Sequence, residues 1–98
     1  MTRISVCLAT YNGEKYIGEQ LQSILIQLSQ HDEVIISDDS SSDRTIDIVQ
    51  AFGDSRIIIL HGQTFRSPIR NFENALSHAG GQYIFLADQD DVWLPEKV

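Results

Sequence analysis

A chain of 98 residues, 42% hydrophobic and 21% charged, suits one small α/β domain with a modest core and not a pair of domains. Its formal charge of −7 argues against a nucleic-acid partner, because neutralising a phosphate backbone takes clustered Lys and Arg. It leaves a nucleotide ligand open, since a bound divalent cation can invert the local charge balance.

In chain order, residues 4–9 (Ile-Ser-Val-Cys-Leu-Ala) form a short apolar, β-branched run of the kind that makes a strand buried on both faces. Tyr11-Asn12-Gly13 is turn chemistry. Over residues 14–29, Ile17, Leu21, Ile24, Leu25 and Leu28 fall on one face of a helix. Residues 33–37 carry a second apolar strand, Val34-Ile35-Ile36. A polar run follows, in which Ser41, Ser42 or Asp43 can cap a second helix. That helix turns Ile46, Ile48, Val49 and Phe52 inward and stops at Gly53. Residues 56–60 (Arg-Ile-Ile-Ile-Leu) predict a third strand, and residues 61–68 a loop. Residues 69–78 predict a third helix facing inward through Ile69, Phe72, Ala75, Leu76 and Ala79. Gly80-Gly81 ends it, and residues 82–87 (Gln-Tyr-Ile-Phe-Leu-Ala) predict a fourth strand. The alternation β-α-β-α-β-α-β implies an α/β fold: a three-layer α-β-α arrangement around a mainly parallel sheet.

Three polar clusters follow strand ends: Thr10-Tyr11-Asn12, the run from Asp38-Asp39 to Asp43, and Asp88-Gln89-Asp90-Asp91. In a parallel sheet all carboxyl ends lie on one edge, so clusters far apart in sequence can meet there. Mg²⁺ and Mn²⁺ take one or two protein carboxylates plus phosphates and water, which an Asp-x-Asp after a strand can offer. The plainer reading is a solvated acidic turn. The apolar strand leading in and Val92-Trp93-Leu94-Pro95 leading out favour the metal. So does the mutual repulsion of three carboxylates without a cation. Asp38 and Asp39 are expected to be free to accept hydrogen bonds from a base or ribose, with Ser41, Ser42 and Asp43 serving the helix. Tyr11 can stack on a base or simply complete a turn. Arg66 and Arg70 can reach phosphate or lie in solvent. His31, His61 and His78 have no metal-ligand spacing, and Trp93 and Cys7 read as packing residues.

The single cysteine, Cys7, cannot make an intrachain disulfide or a Cys-based zinc site, so a reducing compartment is the simpler assumption. No signal peptide is expected, and no apolar run approaches the roughly 20 residues that span a membrane. The last residues, Pro95-Glu96-Lys97-Val98, come directly after the most charged motif, and a longer parent protein is expected.

Residues 4–13, the stretch Val34-Ile-Ile-Ser-Asp-Asp-Ser-Ser-Ser-Asp43 and Tyr83-Ile-Phe-Leu-Ala-Asp-Gln-Asp-Asp-Val-Trp-Leu-Pro95 together resemble family 2 glycosyltransferases. With Asn71-Phe72 upstream, the closest likeness is to the bacterial rhamnosyltransferase-like branch. The resemblance implies the GT-A, nucleotide-diphospho-sugar transferase fold, with residues 1–98 as its nucleotide-sugar-binding N-terminal part. It implies transfer of a sugar from a UDP- or dTDP-sugar donor to a glycan or lipid-linked acceptor in bacterial polysaccharide biosynthesis. Position by position, Tyr11 and Asp39 match base contacts, Asp38 lies beside them in the same pocket, and Thr10 and Asn12 are counted with them as nucleotide-binding residues. Asp88 falls nearer the ribose or diphosphate, Asp90 is the better metal ligand, and Asp91 extends the cluster. The implied cofactor is Mg²⁺ or Mn²⁺. Ala9 stands where many relatives have proline, and the loop around Arg66 departs further from the common pattern. The catalytic base is implied beyond Val98. A cytoplasmic location follows, with peripheral attachment of the full-length protein to the inner face of the membrane left open. A nucleotidyltransferase is an alternative, but the glycine-rich loop after the first strand is missing. A receiver-like Mg²⁺-binding module is another, but Leu60-His61-Gly62 offers no phosphoacceptor aspartate.

Overall fold

The apolar runs pair side by side in a computed structural model that describes residues 3–87. The elements are β1 (Ile4–Thr10), α1 (Ile17–Leu25), β2 (Glu33–Asp38), α2 (Thr45–Ala51), β3 (Ile57–Leu60), α3 (Pro68–Ser77) and β4 (Tyr83–Ala87). The strands form one parallel sheet in the order β3-β2-β1-β4. Alternation along each strand sorts side chains to two faces. Val6, Leu8, Val34 and Ile36 meet Ile17, Leu21 and Ile24 of α1 and Val49 of α2. Cys7 and Ile35, on the opposite face, meet Ala75 of α3. These two apolar layers are the α-β-α arrangement expected from sequence, each fully buried Leu or Ile contributing about 1.5–3 kcal/mol.

The strand order matters for function. From β1 the chain steps outward through β2 to β3, then crosses back to place β4 on the other side of β1. The reversal makes a topological switch point between β1 and β4, where a crevice opens at the carboxyl ends of the strands. β4 reaches that edge with Ala87 opposite Leu8. Asp88-Gln89-Asp90-Asp91 and Trp93 come next in the sequence and lie outside the described residues.

Several element boundaries and faces differ from the sequence reading. β1 and β2 each run one residue further, so Thr10 and Asp38 are paired strand residues and not loop residues. α1 begins only at Ile17, after turns closed by Gly13 O accepting from the Tyr16 and Ile17 N–H groups. α2 begins at Thr45, where Asp43 Oδ1 accepts from the Thr45 N–H at 3.0 Å. The cap position is Arg44, without a side-chain cap bond, so none of the three candidate residues takes that role and Asp43 closes the turn just before it. The largest difference is the face of α3. Ile69 is 73% exposed and Leu76 38%, while Asn71 and Ala75 are buried. Pro68 at the first turn and Ser67 Oγ, which accepts from Arg70 N–H at 3.3 Å, fix where the helix starts and so its rotation.

β4 is set beside β1 by a close backbone approach. The Gly81 N–H donates to Ser5 Oγ at 2.8 Å, and Ser5 Oγ donates to Glu33 Oε2 at 2.6 Å. A Cβ on Gly81 would lie 2.7 Å from Ser5 Oγ and 2.8 Å from Ser5 N, whereas one on Gly80 would meet only Glu33 Oε2 at 3.8 Å. Gly81→Ala is therefore expected to cost about 1–3 kcal/mol in urea denaturation, and Gly80→Ala to stay within about 0.5 kcal/mol of the parent.

Arg56 closes the far edge, donating to the Leu25 and Leu28 carbonyls at 3.1 and 3.0 Å and pairing with Asp54 at 2.7 Å. Hydrogen bonds from the Arg56 side chain and backbone lower the Asp54 carboxyl from 3.8 to about 2. A depressed folded-state pKa stabilises the fold above the ordinary carboxylate range and loses that contribution as pH falls towards 2. Asp54→Asn should therefore flatten the stability profile between about pH 4 and pH 2, read from urea midpoints across that window.

Candidate functional site

A cavity of about 870 Å³ opens on the carboxyl edge of the sheet, within the range of ligand pockets. Thr10 and Tyr11 bring the end of β1 to it, Asp39 and Ser40 the end of β2, and Ser67, Pro68, Asn71 and Phe72 the start of α3. Tyr16, Thr64 and Arg66 complete the rim. Tyr11 leaves its ring 57% exposed at this edge.

Each loop at the edge is fastened by side chains of the next. The Asn12 N–H donates to Ser41 Oγ at 2.8 Å, and Asn12 Oδ1 accepts from the Ser42 N–H at 2.8 Å. The Gly13 N–H donates to Thr45 Oγ1 at 2.8 Å, and the Glu14 N–H to Asp43 Oδ2 at 3.1 Å. Asp43 also accepts from the Thr45 hydroxyl. Burial acts to raise the Asp43 carboxyl, but these bonds from Thr45 and Glu14 prevail and lower it. Asn12, Ser40 and Arg66 have φ of 50°, 53° and 54°, the only non-glycine residues with positive φ among those described. All three sit in loops of this one edge, where left-handed backbone is characteristic of binding sites.

The two adjacent aspartates do different work. Asp38 is 2% exposed and does not line the cavity. Its Oδ1 accepts from Thr10 Oγ1 and Ser41 Oγ, each at 2.6 Å, and its Oδ2 from the Ser41 N–H at 2.8 Å. The expectation that Asp38 is free for a ligand is therefore corrected: strand pairing turns its carboxylate onto β1 and its own loop. Asp39 lines the cavity, and its carboxylate accepts from the Phe65 N–H at 2.6 Å and the Ser67 N–H at 3.4 Å. Two carboxylate oxygens have about four acceptor sites, so these bonds leave capacity for a ligand donor.

Of the sequence candidates, Thr10, Tyr11 and Asp39 share the cavity, while Asn12 and Asp38 brace it from behind. Asp88, Asp90 and Asp91 lie outside the described residues. Arg66 lines the cavity, and Arg70 is exposed on α3. His31, His61 and His78 are exposed. Cys7 is buried, its thiol pushed up to about 11 by burial and then by the Glu33 charge, as suits a packing residue and not a nucleophile. Sequence reasoning missed Tyr16, Ser67 and Asn71. Asn71 shares the i, i+4 phase of Ala75, which the sequence does place inward, but its in-phase neighbours Ser67, Asn74 and His78 are polar and gave no apolar stripe to reveal it.

The sequence and the fold match known proteins. Residues 5–98 match the model of glycosyl transferase family 2, and the chain belongs to that family. The UDP-Glc:alpha-D-GlcNAc-diphosphoundecaprenol beta-1,3-glucosyltransferase WfaP of Escherichia coli is 37% identical over 98 residues, covering 100% of this chain and 39% of that protein. The dTDP-rhamnosyl transferase RfbG of Shigella flexneri is 36% identical over 98 residues, covering 93% and 34%. Among solved structures, the mannosyltransferase PcManGT of Pyrobaculum calidifontis, in complex with GDP-Man and Mn²⁺, superposes with a TM-score of 0.85 at 28% identity. That match covers 93% of this chain and 28% of the other. The chain thus spans well under half the length of these relatives.

Removal of the Asp38 carboxylate leaves the Thr10 hydroxyl and the Ser41 N–H without their acceptor. Asp38→Ala is expected to lower stability by about 1–3 kcal/mol with no ligand present, read from a denaturant midpoint. A midpoint unchanged from the parent would mean that Asp38 does not brace the edge.

Proposed function

We propose that this chain is the donor-binding part of a glycosyltransferase that moves a sugar from a UDP- or dTDP-sugar to a glycan or lipid-linked acceptor in bacterial polysaccharide synthesis. The observation that carries this reading is the convergence of Thr10, Tyr11 and Asp39 on one cavity at the carboxyl edge of the parallel sheet. Tyr11 offers a ring face to the base, and Asp39 an acceptor for a base N–H. Asn12 and Asp38 hold those two in place through Ser41 and Thr10.

Asp88 and Asp90 would hold the divalent cation. Among the described residues no cluster of three His, Cys, Asp or Glu could do so. Carboxylates spaced as Asp-x-Asp fit the oxygen-seeking character of Mg²⁺ or Mn²⁺. When bound, the ion neutralises charge developing on the departing diphosphate. None of the residues at this edge is proposed as the base that deprotonates the acceptor. The names of WfaP, RfbG and PcManGT carry UDP-, dTDP- and GDP-linked donors, and that of WfaP a lipid-linked saccharide. They support the donor class without choosing the base. A peripheral position at the membrane accords with such an acceptor, and among the described residues no helix is long and apolar enough to cross a bilayer.

Calorimetric titration with UDP and dTDP tests the reading. Binding is expected with Mn²⁺, is expected to vanish in EDTA, and should weaken at least about tenfold in Asp90→Ala. Binding indifferent to both metal and Asp90 would overturn the metal assignment, and no binding of either nucleotide would overturn the donor site.

A further inference from the structure

The α3 wall of the cavity is tied to the sheet by a buried polar network that the proposed ligand contacts do not use. Asn71 is 3% exposed. Its Nδ2 donates to Thr10 O at 3.1 Å, and its Oδ1 accepts from Ser37 Oγ at 2.6 Å. Ser37 Oγ accepts in turn from Asn74 Nδ2 at 2.9 Å. Thr10 O also accepts from the Asp39 N–H at 2.9 Å. One amide plane on α3 therefore touches the carboxyl ends of both β1 and β2, beside the residues that enter the cavity.

Packing alone does not call for an asparagine here. One turn later, Ala75 meets Cys7 and Ile35 with a plain apolar contact. A buried primary amide is costly unless its bonds are made, and once made they fix distance and direction as an apolar contact does not. We propose that Asn71 is a positioning residue for the nucleoside pocket. It sets the spacing between the α3 wall (Ser67, Pro68, Phe72) and the wall of Thr10, Tyr11 and Asp39. The proposal rests on the donor-site reading above for the identity of the ligand.

Asn71→Asp tests it, because a carboxylate keeps the shape and the Ser37 partner but has no proton to give Thr10 O. Ala75→Gly serves as a control that weakens the same helix without touching the network. Two quantities are measured on each: UDP affinity with Mn²⁺, and hydrogen exchange at the Asp39 amide relative to the Cys7 and Ile35 core amides. Asn71→Asp should weaken UDP about tenfold and speed Asp39 exchange about tenfold relative to those core amides. In Ala75→Gly all three amides should change together. A purely structural role would make the two variants alike at Asp39, and that outcome overturns the proposal. Should Asn71→Asp fail to fold, Ser37→Ala removes the donor to Asn71 Oδ1, together with the acceptor of Asn74 Nδ2, and must shift both quantities the same way, less strongly. A folded Ser37→Ala with parental values would equally overturn it. Failure of the parent to bind either UDP or dTDP would sink the donor reading alone, and the exchange ratio would still decide the role of Asn71.

Discussion

At the end of β1 a single peptide carbonyl has to satisfy two partners. Thr10 O accepts from the Asp39 N–H just past β2 and from Asn71 Nδ2 of α3, while the Thr10 hydroxyl donates to Asp38. In a parallel sheet the carboxyl ends fan out into loops, and ladder bonding stops where ligands must be met. Thr10 extends the bonding by one more residue on both sides, so β2 and α3 arrive at the same place in a fixed relation. The positions of Tyr11, Asp39 and the first turn of α3 all follow from that junction.

Beyond Thr10 the ordering passes to side chains. Asn12 and Gly13 find their partners on Ser41, Ser42 and Thr45, and Asp39 and Ser40 find theirs on residues 63–67. These residues are short and polar, and they substitute for backbone pairing that loops cannot supply. The left-handed backbone at Asn12, Ser40 and Arg66 persists because such bonds surround it. The serine-rich run after β2 is therefore a set of clamps.

Much of this was legible in the sequence, and the rest was hidden for physical reasons. Apolar runs such as Val34-Ile35-Ile36 have no polar face to offer, so two-sided burial and a parallel sheet followed directly. Turns with Asn12-Gly13 and Gly80-Gly81 marked the ends of elements. The face of α3 was not legible, because Ile69 and Leu76 outscore Asn71 on hydrophobicity. The helix is instead oriented by the start imposed at Ser67-Pro68 and by the bonds Asn71 makes across 61 residues of sequence. The division of labour between Asp38 and Asp39 was hidden by the same kind of cause. Adjacent residues of a strand point to opposite faces, but which one meets the cavity depends on the register of β1 against β2, and no local pattern states it.

That division has an electrostatic consequence. Asp38 and Asp39 accept at the edge from neutral hydroxyls and peptide N–H groups, not from cations. Among the described residues, Arg66 is the only cation lining the cavity. In a chain of net charge −7, a diphosphate would meet an edge already carrying two carboxylates and one guanidinium. Phosphate binding to backbone N–H groups could offset part of this, but the N–H groups of Asn12, Gly13, Glu14 and Ser42 already have side-chain acceptors. On the donor-site reading the remaining compensation has to come from an added cation. The sequence continues past Ala87 with aspartates of the type that hold one, so on that reading the acidic composition and the proposed cation are two sides of one constraint.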